Sequence, residues 1–481
     1  MKITDLQPTN LWKNFANLNA VPRPSKKEQR VIQFAKEFGE SLGLPVLVDH
    51  AGNVIISKPA TPGMENKTPV VLQSHLDMVH QKNADTAFDF EKQGIDMFVD
   101  GDWVKARGTT LGADNGVGVA AIMAILESKD IPHPPLQALF TIDEETGMTG
   151  ALELKGGVLN GKILLNLDTE EDTELTIGCA GGIDITASGN YLQKKTTERE
   201  GLRISVSGLT GGHSGMDIQK GRGNANKILA RICLPLCQSE LIEIASFTGG
   251  SLRNAIPREA AAEVTIKKSD RENILKTIGV MMEQIKKEFH FTDPALDCSC
   301  TAVPAADLVA DPSFIINFLR SLYACPNGIY RMSPDIAGLV QTSNNLARVE
   351  LKEGNFQVQC LGRSSVDSEK TDLQNAVAAV FELSGAAVKF SGSYPGWTPL
   401  PNSELVRFMS DLYAQKFGHA PNVSAVHAGL ECGILGRNYP DIQMISFGPN
   451  IFGAHSPDER AQISSVQKFW DYLLEILKQI K

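Results

Sequence analysis

A chain of 481 residues exceeds what a single hydrophobic core organises, so two domains are expected. Apolar residues at 42% and charged residues at 21% are ordinary globular proportions and exclude long disorder. A formal charge of −10 argues against phosphate backbones and anionic membranes, so neither nucleic acid nor membrane is expected as a partner.

The opening residues 1–8 contain no continuous apolar run of the signal-peptide kind, and nothing approaches the roughly 20 apolar residues of a membrane helix. A cytoplasmic location is therefore expected. The eight cysteines are scattered, without a CxxC spacing, and read as reduced thiols. Cys298-Ser299-Cys300 is the only close pair.

Three apolar, strand-like runs come first. Residues 69–73 lead into Ser74-His75-Leu76-Asp77, 138–142 into Asp143-Glu144-Glu145, and 163–167 into Asp168. Polar and acidic residues thus gather at the carboxyl ends of apolar strands, where α/β sheets open their ligand crevice. Between the first two runs, 117–126 is apolar nearly all round and predicts a buried helix.

Around 188–201 the composition turns polar and reads as a linker. Beyond it, 203–209, 240–245 and 261–266 predict strands, and 224–233 and 271–290 predict helices. A similar series follows, with helices at 315–323 and 373–383 around strands at 346–351 and 356–361. The two series suggest an internal duplication, although no residue-level repeat is visible. Helix 405–416, strand 442–447 and helix 466–480 return to α/β character. The predicted fold is α/β: a discontinuous catalytic domain, 1–187 and 394–481, with a mixed sheet flanked by helices, interrupted by an inserted α+β domain, 188–393.

Zinc takes imidazole nitrogen and carboxylate oxygen, and a two-metal site needs five or six such groups with a bridge. The candidates are His75, Asp77, Asp114, Glu144, Glu145, Asp168 and His455, each at a strand end or in a glycine-rich turn. In His75-Leu76-Asp77 the histidine can ligate while the aspartate accepts its other ring N–H. Adjacent Glu144 and Glu145 can divide metal binding from proton transfer. Taken singly, each has a plainer reading: a solvated acidic turn, a helix start, a loop histidine. Their coincidence in order and context outweighs it.

In that order, strand–His-x-Asp, Gly-rich–Asp, Glu-Glu, Asp and a late His, the chain resembles the co-catalytic zinc peptidases that include aminoacylase, glutamate carboxypeptidase and the carnosine dipeptidases. Within them it is most similar to the bacterial aminoacyl-histidine (Xaa-His) dipeptidases. The phrases SHLDMV, TLGADNGVG, TIDEETGMTGA, LNLDTE, GGHSGMDI and FGPNIFGAHSPDER carry that likeness. Asn115 departs from the lysine or methionine usual after the bridging aspartate.

The resemblance implies two zinc ions, with cobalt or manganese able to substitute, bridged by Asp114. His75 and Asp168 would complete one shell, Glu145 and His455 the other. Asp77 would orient His75, and Glu144 would be the general base for a water held between the metals. It further implies a lid function for the insertion: His213 in Gly211-Gly212-His213-Ser214-Gly215 reaching toward the reaction centre, with Asn254 and Arg363 at substrate. An arginine fork suits a dipeptide's terminal carboxylate. Gly429 is a candidate main-chain contact to that carboxylate.

The expected function is hydrolysis of small peptides, preferentially Xaa-His dipeptides such as carnosine. The same machinery also serves N-acyl amino-acid hydrolases and carboxypeptidases, and a binding protein without catalysis is disfavoured by the retained Glu144. A homodimer stays open, as does whether His213 serves its own site or a partner's. A nucleotide-binding reading of 112–118 fails, because Asp114 would face the phosphate and no Walker lysine follows.

Overall fold

The computed structural model describes residues 2–196 and 200–481. The chain divides into two compact units, Met1–Gly178 with Pro399–Ala425 and Leu430–Lys481, and Cys179–Thr398 with Val426–Gly429. The short segment carrying Gly429 lies within the C-terminal stretch yet packs with the inserted residues.

In the first unit, the described residues form an eight-stranded mixed sheet. Its centre is Leu136–Thr141, Val70–His75, Ile163–Asn166 and Gln443–Ser446, all parallel. Val70–His75 and Ile163–Asn166 are buried at every position, which demands the near-continuous apolar runs seen in the sequence. Gln73 is level with both Leu139 and Asn166, and His75 with Thr141. The residues that follow these strands therefore leave from one edge of the sheet.

Helix Ala113–Glu127, apolar on every face, packs against strand Val70–His75 and helix Thr9–Asn19. A small antiparallel sheet joins Ile451–Phe452, Arg460–Gln462, Trp103–Ala106 and Met97–Asp100. This pairing brings the loop 453–459, which carries His455, beside the chain that runs on into Asp114.

The second unit is built on a nine-stranded antiparallel sheet. One half runs Asp297–Val303, Glu200–Ser207, Ala260–Ile266, Glu243–Gly249, and the other Val340–Lys352, Asn355–Ser364, Gly181–Asn190, Ala387–Tyr394, while the ninth strand, Gly328–Met332, pairs with Val340–Lys352 off this path. Numbered by sequence within each half, the spatial order is 4-1-3-2 followed by 2-3-1-4. The halves meet where Phe247 pairs with Leu351. Helices Ala225–Gln238 and Arg271–Glu288 belong to one half, Pro312–Ala324 and Asp367–Glu382 to the other. This is a duplicated topology, with the first copy inserted after the opening strand of the second.

That insertion corrects the linker reading of 188–201. Gly181–Asn190 and Glu200–Ser207 are sheet strands, and 197–199 lie outside the described residues. Among the described residues of the stretch only 188–190 and 200–201 belong to that sheet, and Gln193–Lys195 between them pairs with Leu308–Ala310. The solvent-facing side chains of a half-covered strand are polar, so strand ends and connection share one composition. Cys298 and Cys300 sit two apart on one strand and pack partly against the apolar core, as free thiols.

Candidate active site

Strand Val70–His75 delivers a histidine that is 1% exposed to the carboxyl edge of the first unit's sheet. Its Nε2 lies 3.1 Å from Asp114 Oδ1 and 3.5 Å from Asp168 Oδ1. The other oxygen of Asp114 lies 3.3 Å from His455 Nε2, which is also 3.0 Å from Glu145 Oε2. Asp114 thus turns one oxygen toward His75 and Asp168, and the other toward His455 and Glu145. Asn115 donates to the Leu167 carbonyl and to Asp168, tying the Asp114 turn to the third strand end.

Asp77, fully buried, is the joint between two segments. Its carboxylate lies 3.4 Å from His75 Nδ1 and accepts from the main-chain N–H groups of Glu144 and Glu145 and from Ser25 Oγ. Burial opposes its ionisation, but the hydrogen bonds from His75, Glu144 and Ser25 outweigh burial and hold the carboxyl below its ordinary range.

Burial likewise opposes a charge on His75, yet the Asp168, Asp114 and Asp77 carboxylates raise it well above the ordinary imidazole range. Hydrogen bonds to Asp114 and Glu145 raise His455 to about 11. Burial pushes the Glu144 carboxyl well up, helped by Asp168, Glu431 and Glu145 nearby. The cluster is short of positive charge, and its histidines are driven to supply it.

In the second unit, His213 lies on a two-residue strand paired with Ala255–Ile256, directly after Asn254. Its Nδ1 accepts from the N–H groups of Gly215 and Met216, so the neutral ring carries its proton on Nε2. Burial, with the Arg363 charge, lowers the pKa of His213 and keeps it neutral. Arg363 is 5% exposed and donates from Nη1 to Tyr394 Oη at 3.0 Å. The Asn254 carbonyl accepts from Ser214 N, while its side chain is exposed. Gly215 packs against the carbonyl of His427, two residues before Gly429. His213, Arg363 and the 427–429 segment therefore share one corner of this unit.

The pattern of peptidase family M20/M25/M40 matches residues 71–479. The chain belongs to this family. It is 42% identical over 484 residues to the cytosol non-specific dipeptidase of Escherichia coli (strain K12), covering 100% of this chain and 99% of that protein. The crystal structure of aminoacylhistidine dipeptidase from Vibrio alginolyticus superposes with a TM-score of 0.94 at 43% identity, over 100% of this chain and 98% of that one. A tripeptidase from Staphylococcus aureus shares the fold at 19% identity, with a TM-score of 0.57 over 99% of both chains.

Members of this family are metallopeptidases, and the cluster around Asp114 fits a divalent cation. Hard carboxylate oxygens and imidazole nitrogens are its donors. Ligand atoms of His75, Asp114 and Glu145 all lie within 4.8 Å of one another. Glu145 Oε1 is buried with no hydrogen-bond partner, an orphaned acceptor that a cation would satisfy.

Four buried polar groups near the cluster escaped the sequence reading. Gln73, Thr141 and Glu431 form a hydrogen-bonded triangle, with Gln73 Nε2 2.6 Å and Thr141 Oγ1 2.7 Å from Glu431 Oε2. Asn166 donates to Gln73 Oε1. A signal was present: Gln73 and Asn166 are polar interruptions of apolar strands, two residues before His75 and Asp168 and hence on the same face. Glu431, from a distant segment, gave none.

His427 gives a test of the second unit's corner. It is buried, its Nε2 is 2.7 Å from Ser343 Oγ, and burial followed by the Arg363 charge lowers its pKa to about 3. A folded-state value below the unfolded one means that the unfolded chain binds the extra proton below about pH 6.5. Stability from this group is therefore complete above that pH and is lost toward pH 3, at up to about 1.4 kcal/mol per pH unit. Urea unfolding at pH 7 and pH 5 should show a smaller acid-induced loss for His427→Asn than for wild type. Equal losses would place the titration elsewhere.

Proposed function

We propose that this chain is a cytoplasmic dipeptidase that hydrolyses Xaa-His dipeptides preferentially, with two zinc ions held by His75, Asp114, Glu145, Asp168 and His455. The observation that carries this is the two-sided arrangement of Asp114, one oxygen toward His75 and Asp168 and the other toward Glu145 and His455. Full-length similarity to dipeptidases supports the substrate class. Among the described residues no helix is long and apolar enough to cross a membrane.

Bound divalent ions supply Lewis-acid polarisation of the scissile carbonyl and lower the pKa of water. Among the described residues, Glu145 pairs with His455 and Glu144 makes no ion pair with a histidine, while Asp77 accepts from the main-chain N–H groups of both. In this reading Glu144 takes a proton from the attacking water as the O–C bond forms. It returns that proton to the amine nitrogen as the C–N bond breaks. Asp77 keeps His75 in the tautomer that presents Nε2 to the cluster. His213, with its proton on Nε2, is a neutral donor suited to a developing oxyanion.

Arg363 is assigned to the substrate's terminal carboxylate, with Asn254 and Gly429 as further contacts. A panel of carnosine, Gly-His, Ala-Ala, an N-acetyl amino acid and a tripeptide tests the substrate class. The dipeptides should dominate kcat/KM, with His-containing ones fastest. Preference for the N-acetyl amino acid would move the chain to the acylase activity of the same machinery. Arg363→Ala should raise KM for dipeptides roughly 10- to 100-fold, the worth of a charge-assisted pair, with a smaller effect on kcat. A dipeptide amide should be a poor substrate already and lose little more in the variant. Equal damage to dipeptide and amide would remove the carboxylate role.

A further inference from the structure

Glu459 is 2% exposed and stands four residues beyond His455, in the same loop. Its Oε2 accepts from the N–H groups of Leu111 and Gly112 at 2.7 and 2.9 Å, and its Oε1 from those of Ala113 and Asp114 at 2.7 and 3.2 Å. Four successive main-chain donors thus converge on one carboxylate. Gly112 makes this concave arrangement with φ +71°, and it also opens helix Ala113–Glu127.

The same turn is also held by Arg23, 1% exposed. Its guanidinium donates to the carbonyl of Gly112 at 2.5 Å, to those of Leu76 and Asp77 at 3.0 Å each, and to Asn19 Oδ1 at 2.9 Å. A Cβ on Gly112 would come within 2.5 Å of Arg23 Nη2 and 2.8 Å of Met78 Sδ, so any other residue at this left-handed position would displace the Arg23 guanidinium or Met78.

Two buried, oppositely charged side chains, neither among the proposed ligands, therefore join three segments that carry them. Arg23 ties the Asp114 turn to the chain just after His75, and Glu459 ties it to the loop of His455. We propose that Glu459 and Arg23 are positioning residues that set Asp114 between its two flanking groups, so that divalent-metal affinity depends on them. This rests on the metallopeptidase reading above. Neither residue is assigned a contact with the reacting atoms. Their effect would run through the register of Asp114, as outer partners of metal ligands commonly act.

Zinc affinity, measured by competition with a chromophoric chelator, separates this role from a merely structural one when read beside Tm. Glu459→Gln keeps the size but turns an NH2 group toward main-chain donors. It should weaken zinc binding roughly 10- to 100-fold and raise by a similar factor the zinc concentration that gives half-maximal activity. Glu459→Asp, which keeps the charge, should recover part of the affinity. The control is Asp102→Asn, since Asp102 accepts from Ser464 N and Gln462 Nε2 at the start of the last helix. It should lower Tm and leave affinity unchanged. Wild-type affinity in Glu459→Gln, whatever its Tm, overturns the positioning role alone. Should that variant not fold, Glu459→Asp and Arg23→Lys carry the same measurement, weakened affinity supporting the role and unchanged affinity overturning it. Wild type that binds no divalent ion overturns the underlying reading as well.

Discussion

Glu144→Gln should retain near-normal metal content while kcat falls by about two to four powers of ten. The reason lies in how the adjacent pair is divided. Glu145 Oε2 is 3.0 Å from His455 Nε2 and belongs to the cluster around Asp114, whereas Glu144 forms no such pair. Burial, with the Asp168, Glu431 and Glu145 carboxylates, raises the proton affinity of Glu144, which suits a group that must accept and then return a proton. An amide of the same size cannot accept that proton, yet it leaves the packing and the Asp77 hydrogen bonds to the main chain intact. Glu145→Gln should instead lose metal. Metal analysis of both variants beside single-turnover rates decides the matter. The opposite outcome, an emptied site in Glu144→Gln and a full one in Glu145→Gln, would exchange the two roles.

Exhaustive chelation should abolish dipeptide hydrolysis, and zinc, cobalt or manganese should restore it. The cluster gathers Asp114, Asp168 and Glu145 around two histidines and leaves Glu145 Oε1 buried without a partner. Such a group of carboxylates is stabilised by positive charge, and protonated histidines supply it only in part. Asp114→Ala should remove an acceptor from both sides at once and so lose metal and activity together. Its metal stoichiometry after dialysis, set beside that of wild type, reports this directly. Undiminished hydrolysis by fully metal-free protein would end the metallopeptidase mechanism for this chain.

Strand existence and the identity of the candidate groups were legible along the chain because both depend on local pattern. Buried parallel strands require near-continuous apolar runs, and the change to His75-Leu76-Asp77, Glu144-Glu145 and Asp168 marks where each strand leaves the sheet. The buried helix after Asp114 was equally plain, since an all-apolar helix has no solvent face.

Other features were decided only in three dimensions. The strand pairing of 181–190 depends on partners at 355–364 and 387–394, so a polar outer face looked like a linker. The duplication showed in sequence as two series of predicted elements, but its interleaving is a property of sheet order and leaves no mark on residue identity. Arg23, Glu431 and Glu459 resemble any surface charge when read in sequence, because burial of a charged group shows itself only through the partners that compensate it. Those partners are the carbonyls of Leu76, Asp77 and Gly112 for Arg23, Gln73 and Thr141 for Glu431, and four main-chain N–H groups for Glu459. The pattern along the chain named the groups that face the reaction. The tertiary structure alone decided which buried charges hold them in place, since main-chain donors and acceptors are the same at every residue and become specific only through where the fold puts them.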